Sequence, residues 1–420
     1  MRSIFDFWNR AFPNLTWSRD YRIAPGGPKS VWSQAALTFT HEFPAPRLLL
    51  PLATSLLIDR IAQEETGGAV LAHVTVHGKT LPAISRTRDG IVFHFDLEEC
   101  VNDMTKREYW RAHRPLGSRT PFHYHAIPGG IRRMIGRTAA MLGPKLGKGF
   151  PPWPVADAVE ILRRCVLFLL ADRTPDLDAA RFWPGGKRWA AALSHDVDTQ
   201  HGAARVPDFF DLEQRLGLRS TWFFPACHYV LDGNLLQRLI GAGHEVACHG
   251  YNHDCKLPYL ERQSIADRLN ECIRILAPFG VRGFRSPALG RTRDLFEELS
   301  GRFTYDSSVP DTEAGSGCCT VFPYSIGDLL ELPITVPMDA TLLLHGYKPD
   351  RVLDVWIKKI GWIKKTHGLA VIVTHPEPHF SGNPAMIGVY AELLAHLSKA
   401  ADCWIAPIAE IAEWWRRSAP

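Results

Sequence analysis

The 420-residue sequence is short of almost every feature that would classify it by composition. It has no run of about 18 uninterrupted apolar residues, the length a membrane-crossing helix needs. The best candidates, 48–58 and 165–171, are too short, and the first contains Pro51. No strong charge excess is present either: 48 Lys and Arg stand against 44 Asp and Glu, a formal net charge of +4. That balance argues against a nucleic-acid binder, whose electrostatic footprint is strongly basic. There is no C-x-x-C pair among the nine cysteines, and two of them, Cys318 and Cys319, are adjacent. An odd count without a secretion leader points to reduced, buried thiols rather than a disulfide framework. The opening Met-Arg-Ser-Ile-Phe-Asp-Phe-Trp is broken by acid and polar residues before any leader-like apolar stretch, so a cytoplasmic location is expected. No internal repeat or low-complexity tract is visible. With 46% hydrophobic and 22% charged residues, disorder and collagen-like structure are excluded.

What is present divides into two textures. Residues 1–185 are rich in Arg, Pro and Trp and read as a small α+β domain of unknown role. Within it Val70, Ala72, Val74 and Val76 alternate with Leu71, His73, Thr75 and His77, the pattern of a half-buried strand. A second strand is expected to place Ile91, Phe93 and Phe95 on one face, and Val159, Leu162, Val166, Leu169 and Leu170 recur at helical spacing. Segment 104–148 holds ten basic residues and one acid, a local +9 that leaves −5 for the rest of the chain.

Pro184-Gly185-Gly186 is a turn-forming breaker, and from residue 186 to 420 strand and helix patterns alternate. Strands are expected near 189–193, 220–224, 245–248, 283–284, 303–305, 330–333, 370–374 and 403–405. Such alternation implies an α/β fold with a parallel sheet, and seven or eight units fit a closed (β/α) barrel.

In such barrels chemistry collects at the C-terminal ends of the strands. The first strand runs into Ser194-His195-Asp196-Val197-Asp198, where i, i+2 spacing points both carboxylates to the same face. The third ends in His249-Gly250-Tyr251-Asn252-His253, an H-x-x-x-H spacing expected to set both imidazoles on one face of a helical turn. Two His and one carboxylate, with an open position for water, form a catalytic-zinc ligand set. Later strand ends add Arg285-Ser286-Pro287, Asp306-Ser307-Ser308 and Thr374-His375-Pro376.

In this order the motifs resemble those of the polysaccharide deacetylases with a NodB-homology domain, carbohydrate esterase family 4. The resemblance covers about 186–420, while 1–185 resembles no family. Its first motif, Ser-His-Asp-Val-Asp, departs from the commoner T-F-D-D-G and looks like the D-x-D form of peptidoglycan-deacetylase-like and allantoinase-like branches. The resemblance implies a distorted, NodB-like barrel and one divalent metal, by default zinc, with cobalt, nickel or manganese also able to occupy such a site. It implies Asp198, His249 and His253 as metal ligands, Asp196 as catalytic base, Arg285 as the residue positioning that base, and His375 as catalytic acid. Asp306 and Asp339 are the candidates for orienting His375. Tyr251, Pro287 and Asp306 are candidates for touching substrate.

The implied reaction is removal of an acetyl group from an amino sugar of a glycan or glycolipid. Hydrolysis of a non-sugar C–N bond, as in allantoinase-like relatives, and a glycan-binding protein on a decayed barrel are the alternatives. Cys248, Cys255, Cys227 and His228 near the histidine pair could form a soft metal site, but buried free thiols are expected. Trp404 and Ile405 are expected near the barrel mouth, Trp222 in the core, and Trp414-Trp415 against the barrel. In the basic segment Ile131, Met134, Ile135, Met141 and Leu142 interleave with Arg132, Arg133 and Arg137, as in a helix that contacts an anionic membrane at its inner face, with a solvated surface helix and loop as the alternative. Tyr109, Trp110, Phe122 and Tyr124 would suit nucleic acid, but no binding motif accompanies them, and none is expected to bind.

Overall fold

The computed structural model describes residues 2–17, 21–23, 32–39, 47–53, 69–76, 79–106, 114, 116–119, 123, 126–143, 146, 152–313 and 317–418. Tyr109, Trp110, Phe122, Tyr124 and several basic residues of 104–148 lie outside them.

The N-terminal region builds one six-stranded sheet. Its strands are β1 (Tyr21–Ile23), β2 (Trp32–Phe39), β3 (Arg47–Ala53), β4 (Ala69–Val76), β5 (Lys79–Thr87) and β6 (Gly90–Phe93), in the order β1-β6-β5-β4-β2-β3. All neighbours are antiparallel except β1 and β6. The alternation expected in β4 is broken by a register shift around Val70–His73, which puts Leu71 and Ala72 both in the core. A β-bulge adds one residue to a strand and resets which face the next side chain meets.

The second sheet holds β7 (Trp189–Asp196), β8 (Ser220–Phe224), β9 (Glu245–Cys248), β10 (Gly283–Phe284), β11 (Tyr305–Asp306), β12 (Tyr324–Ile326), β13 (Leu329–Glu331), β14 (Leu369–Thr374) and β15 (Cys403–Ile405). The order is β12-β13-β11-β10-β9-β8-β7-β14, with β15 also on β7. Every pairing is parallel except β12 with β13. All eight residues of β7 and all six of β14 are buried, because helices such as Pro349–Lys365, Pro384–Ser398 and Ile408–Arg417 cover the outer face. The sheet curls into a half-barrel, and no strand ladder among the described residues joins β13 to β14. Thr335 and Val336 fill that seam instead: Val336 N donates to the Val371 carbonyl at 3.1 Å and Val371 N to Thr335 Oγ1 at 2.8 Å.

At the expected breaker, Gly185 and Gly186 take left-handed φ of +62° and +72°, which glycine adopts without a Cβ penalty. One apolar core runs across this turn. Phe7 of the helix Arg2–Ala11 meets Phe182 at 4.8 Å and Phe322 at 4.9 Å, and Trp415 stacks 6.3 Å from Phe182. Trp404 lies at the foot of the barrel rather than its mouth, since β15 pairs with the first residues of β7 and the ring packs on Trp183 and Trp414. No helix among the described residues is long and apolar enough to cross a membrane.

Candidate active site

Because the strands run parallel, the residues following β7, β9, β10 and β14 emerge at one end and line a single cavity of about 260 Å³. Asp196 closes β7 with its side chain buried, and Asp198 follows one strand period later. Asp198 Oδ1 stands 3.2 Å from His249 Nε2 and 3.0 Å from His253 Nε2. The histidines are carried by a loop, not by the helical turn expected from their spacing. Gly250 at φ +73° turns the chain between them and His253 itself sits at φ +55°. At Gly250 a Cβ would also meet Pro287 at 2.9 Å.

These three side chains fit a divalent cation by the chemistry of their donors. His249 Nδ1 lies 2.9 Å from the Arg285 carbonyl, which can only accept, so Nδ1 carries the proton and Nε2 of the neutral ring presents a lone pair. That lone pair faces a carboxylate oxygen. Two acceptors at such a distance repel unless a positive species lies between them, and ligand atoms of Asp198, His249 and His253 all fall within 4.8 Å of one another.

Asp196 is held apart from that trio by Arg285. The guanidinium is fully buried and donates from NH1 to Asp196 Oδ1 at 2.7 Å and to Ser194 Oγ at 3.0 Å. Its other nitrogens are spent on Ser307, from Nε to the carbonyl at 2.8 Å and from NH2 to Oγ at 2.9 Å, and its plane covers the Phe223 ring. Asp196 Oδ2 is left facing the site, 3.9 Å from both His249 Nε2 and His375 Nε2. Burial alone would raise the Asp196 carboxyl, but Arg285, then His249 and His375, hold it below its ordinary value.

His375 follows β14 and is fixed by Asp339, one of the two candidates for that task. Its Nδ1 lies 2.6 Å from Asp339 Oδ1, and its backbone N–H donates to Asp339 Oδ2 at 2.8 Å. Ser381 Oγ donates to the same Oδ2 at 2.6 Å. Burial opposes the imidazolium, yet Asp339 and, more weakly, Asp198 and Asp196 raise it well above its ordinary value. Asp306, the other candidate, is turned away, bonding the Ser308 amide and hydroxyl at 2.9 Å each. Tyr251, Pro287 and Asp306 line no part of the cavity. Tyr251 packs under Arg268 and Pro287 against Gly250, so each serves the walls behind the site.

Neutralising Asp339 removes the largest favourable influence on the His375 imidazolium. An acid that must be protonated loses activity as pH rises through its pKa. In Asp339→Asn the alkaline limb of kcat/KM should therefore move down by about 1–3 pH units. A limb that stays in place would make Asp339 a packing residue only.

His195, inside the first motif, points to the opposite face of β7. It stacks on Trp222 at 3.9 Å and bonds Glu213 Oε1 at 2.7 Å and Thr374 Oγ1 at 2.8 Å, a satisfied core histidine. Cys248 and Cys255 are buried and free, and Cys227 is exposed and free.

Two groups in the cavity had no motif to announce them. Glu377, two residues past His375, is buried. Its Oε1 accepts from the Thr199 amide at 3.0 Å, while its Oε2 has no hydrogen-bond partner. Burial first, then Asp198, raises its carboxyl well above the ordinary range. A Cβ at Gly202 would lie 2.2 Å from Oε1, so that glycine admits Glu377. The second group comes from the N-terminal region: the helix Gly129–Leu142 crosses the mouth, and Gly129, Arg132, Arg133 and Gly136 form part of the cavity wall. Two of the three arginines expected to meet a membrane thus face the site. The opposite side of the helix exposes Ile131, Met134, Met141 and Leu142, so a lipid contact there would be made by apolar side chains.

No protein-family model matches the chain. It is 22% identical over 263 residues to a peptidoglycan deacetylase of Helicobacter pylori, covering 53% of this chain and 88% of that protein. It is 30% identical over 148 residues to a peptidoglycan deacetylase-like protein of Gibberella zeae, covering 33% of this chain and 43% of that one. Among solved structures an allantoinase, 17% identical, superposes with a TM-score of 0.50 over 59% of this chain and 99% of its own, a likeness of fold. With its motifs in order along a curled parallel sheet, and with these relatives, the chain is similar to the NodB-like polysaccharide deacetylases.

Proposed function

We propose that the chain is a metal-dependent hydrolase that removes the acetyl group from the nitrogen of an acetamido sugar in a glycan or glycolipid. The observation that carries this reading is the placement of Asp196 Oδ2 and His375 Nε2, 3.9 Å apart, beside the Asp198, His249 and His253 cluster. The name peptidoglycan deacetylase on the Helicobacter pylori relative supports it.

A divalent metal held by Asp198, His249 and His253 would polarise the amide carbonyl and lower the pKa of water at the site. The chain's own residues handle the protons. Asp196, kept ionised by Arg285, accepts one from the attacking water at Oδ2. Fixing Oδ1 on the guanidinium leaves that single oxygen aimed at the site. His375, kept protonated by Asp339, donates from Nε2 to the departing nitrogen, which would otherwise have to leave as a strongly basic amide anion. Acetate and a free amino sugar result.

Purified protein should contain about one equivalent of zinc or a similar metal and release acetate from an acetamido sugar. A chelator should abolish release, and added metal should restore it. Protein that binds no divalent metal and releases no acetate from a panel of soluble, polymeric and lipid-linked acetamido sugars would end this reading.

A further inference from the structure

The helix across the mouth is built against its own electrostatics. A helix N-terminus is positive and favours anions, and cations there are destabilising. Yet Gly129–Leu142 opens on Pro128-Gly129-Gly130, with no acid in the first turn and no side chain capping its amides. Arg132 and Arg133 follow at once. Arg132 is half-buried and Arg133 exposed at the rim, and both line the cavity together with Gly129 of the helix start. The apolar side chains, which would ordinarily face the protein, point outward, with Met141 and Leu142 76% and 83% exposed. The amphipathic face is inverted in favour of putting charge into the site.

The positive field reaches across the cavity. Burial first, then Arg133 and Arg132, push the His379 imidazole on the facing wall down to about 4. Arg133 has no carboxylate partner among the described residues. On the cavity floor Arg285 holds Asp196, and Asp198 stands with His249 and His253 in the metal-ligand cluster. In the same cavity the buried Glu377 keeps Oε2 unpartnered, a further polar atom available to a ligand.

We propose that Arg132 and Arg133 form an anion subsite, and that the acetamido sugar this chain hydrolyses carries a phosphate or a carboxylate. The inference rests on the deacetylase reading and narrows its substrate class. A guanidinium pair beside free helix amides matches either anion, since both accept charge-assisted, bidentate hydrogen bonds. Because the two arginines and the metal cluster line one cavity of about 260 Å³, the anion is expected on the same sugar as the acetamido group, or on its immediate substituent.

The test compares N-acetylglucosamine, N-acetylglucosamine 1-phosphate and N-acetylmuramic acid on the wild type and on R132Q/R133Q. Acetate release should favour at least one anionic sugar over the neutral one by about 10-fold or more in kcat/KM. The preferred sugar identifies phosphate or carboxylate as the anion. In R132Q/R133Q that ratio should collapse toward one, mainly through KM, with thermal melting confirming an intact fold. Calorimetric binding of N-acetylglucosamine 1-phosphate and N-acetylmuramic acid to both proteins gives a second readout that needs no turnover. Equal rates on all three sugars, or a variant that keeps the preference and the binding, would overturn the subsite. If no sugar releases acetate, the deacetylase reading fails, and the binding comparison still decides the subsite.

Discussion

Asp196→Asn should lower kcat by about 10²–10⁴-fold, the range a positioned general base supplies, while leaving metal content unchanged. The expectation depends on Asp196 lying outside the ligand trio. Its Oδ1 is engaged by Arg285 at 2.7 Å, and its Oδ2 is 3.9 Å from His249 Nε2, beyond the tight set formed by Asp198, His249 and His253. Asn keeps the shape and can still accept from Arg285, so the fold should survive, but it takes no proton from water. KM should change little if, as proposed, the carboxylate acts on the attacking water rather than on the bound sugar. His375→Asn should cost a similar factor, and the double variant little more than either, since base and acid serve one proton path. Metal analysis separates the outcomes: if Asp196→Asn also loses its metal, Asp196 is a ligand and the division of roles is wrong.

How far the site was legible beforehand follows from which contacts are local. Strand ends are local features, because an apolar run that stops at a polar cluster marks its own mouth. Asp196, Asp198, His249, His253, Arg285 and His375 could all be picked out in this way, and the structure brings five of them into one cavity, with Arg285 buried behind Asp196. The curled parallel sheet was legible for the same reason, from the alternation of strand and helix.

What escaped was non-local or geometric. Asp339 and Asp306 look alike in sequence, and only the return of the segment after β13 to the end of β14 places the first under His375. Arg132 and Arg133 lie about sixty residues before the first motif, and their inward face runs against the rule that a helix turns its apolar side to the protein. The histidine spacing suggested a helical turn, but Gly250 and the left-handed His253 make a loop of it. Trp404 was placed by strand type rather than by register, and register puts it at the foot.

Replacing the fully buried Arg285 by Met should destabilise the fold by about 3–5 kcal/mol at neutral pH, the cost of leaving a buried charge without its partner. The sign of the pH dependence follows from Asp196. In the wild type its carboxyl is held below the ordinary value, so the ion pair contributes stability above that value and loses it as pH falls through the lowered pKa. In Arg285→Met burial dominates and the folded-state pKa rises above the unfolded one. The variant then gains relative stability as pH falls and Asp196 becomes neutral, so the gap to wild type in urea unfolding of metal-free protein should narrow on acidification. Met replaces the guanidinium stem over Phe223, which limits loss of packing. Ser194 and Ser307 lose a donor each way, a smaller cost that pH does not change. Adding Asp196→Asn to Arg285→Met removes the orphaned charge and should recover much of the lost stability without any activity. A gap that is constant with pH, or a double variant no more stable than the single one, would show that Arg285 acts through packing and its serine contacts rather than by holding the Asp196 carboxylate.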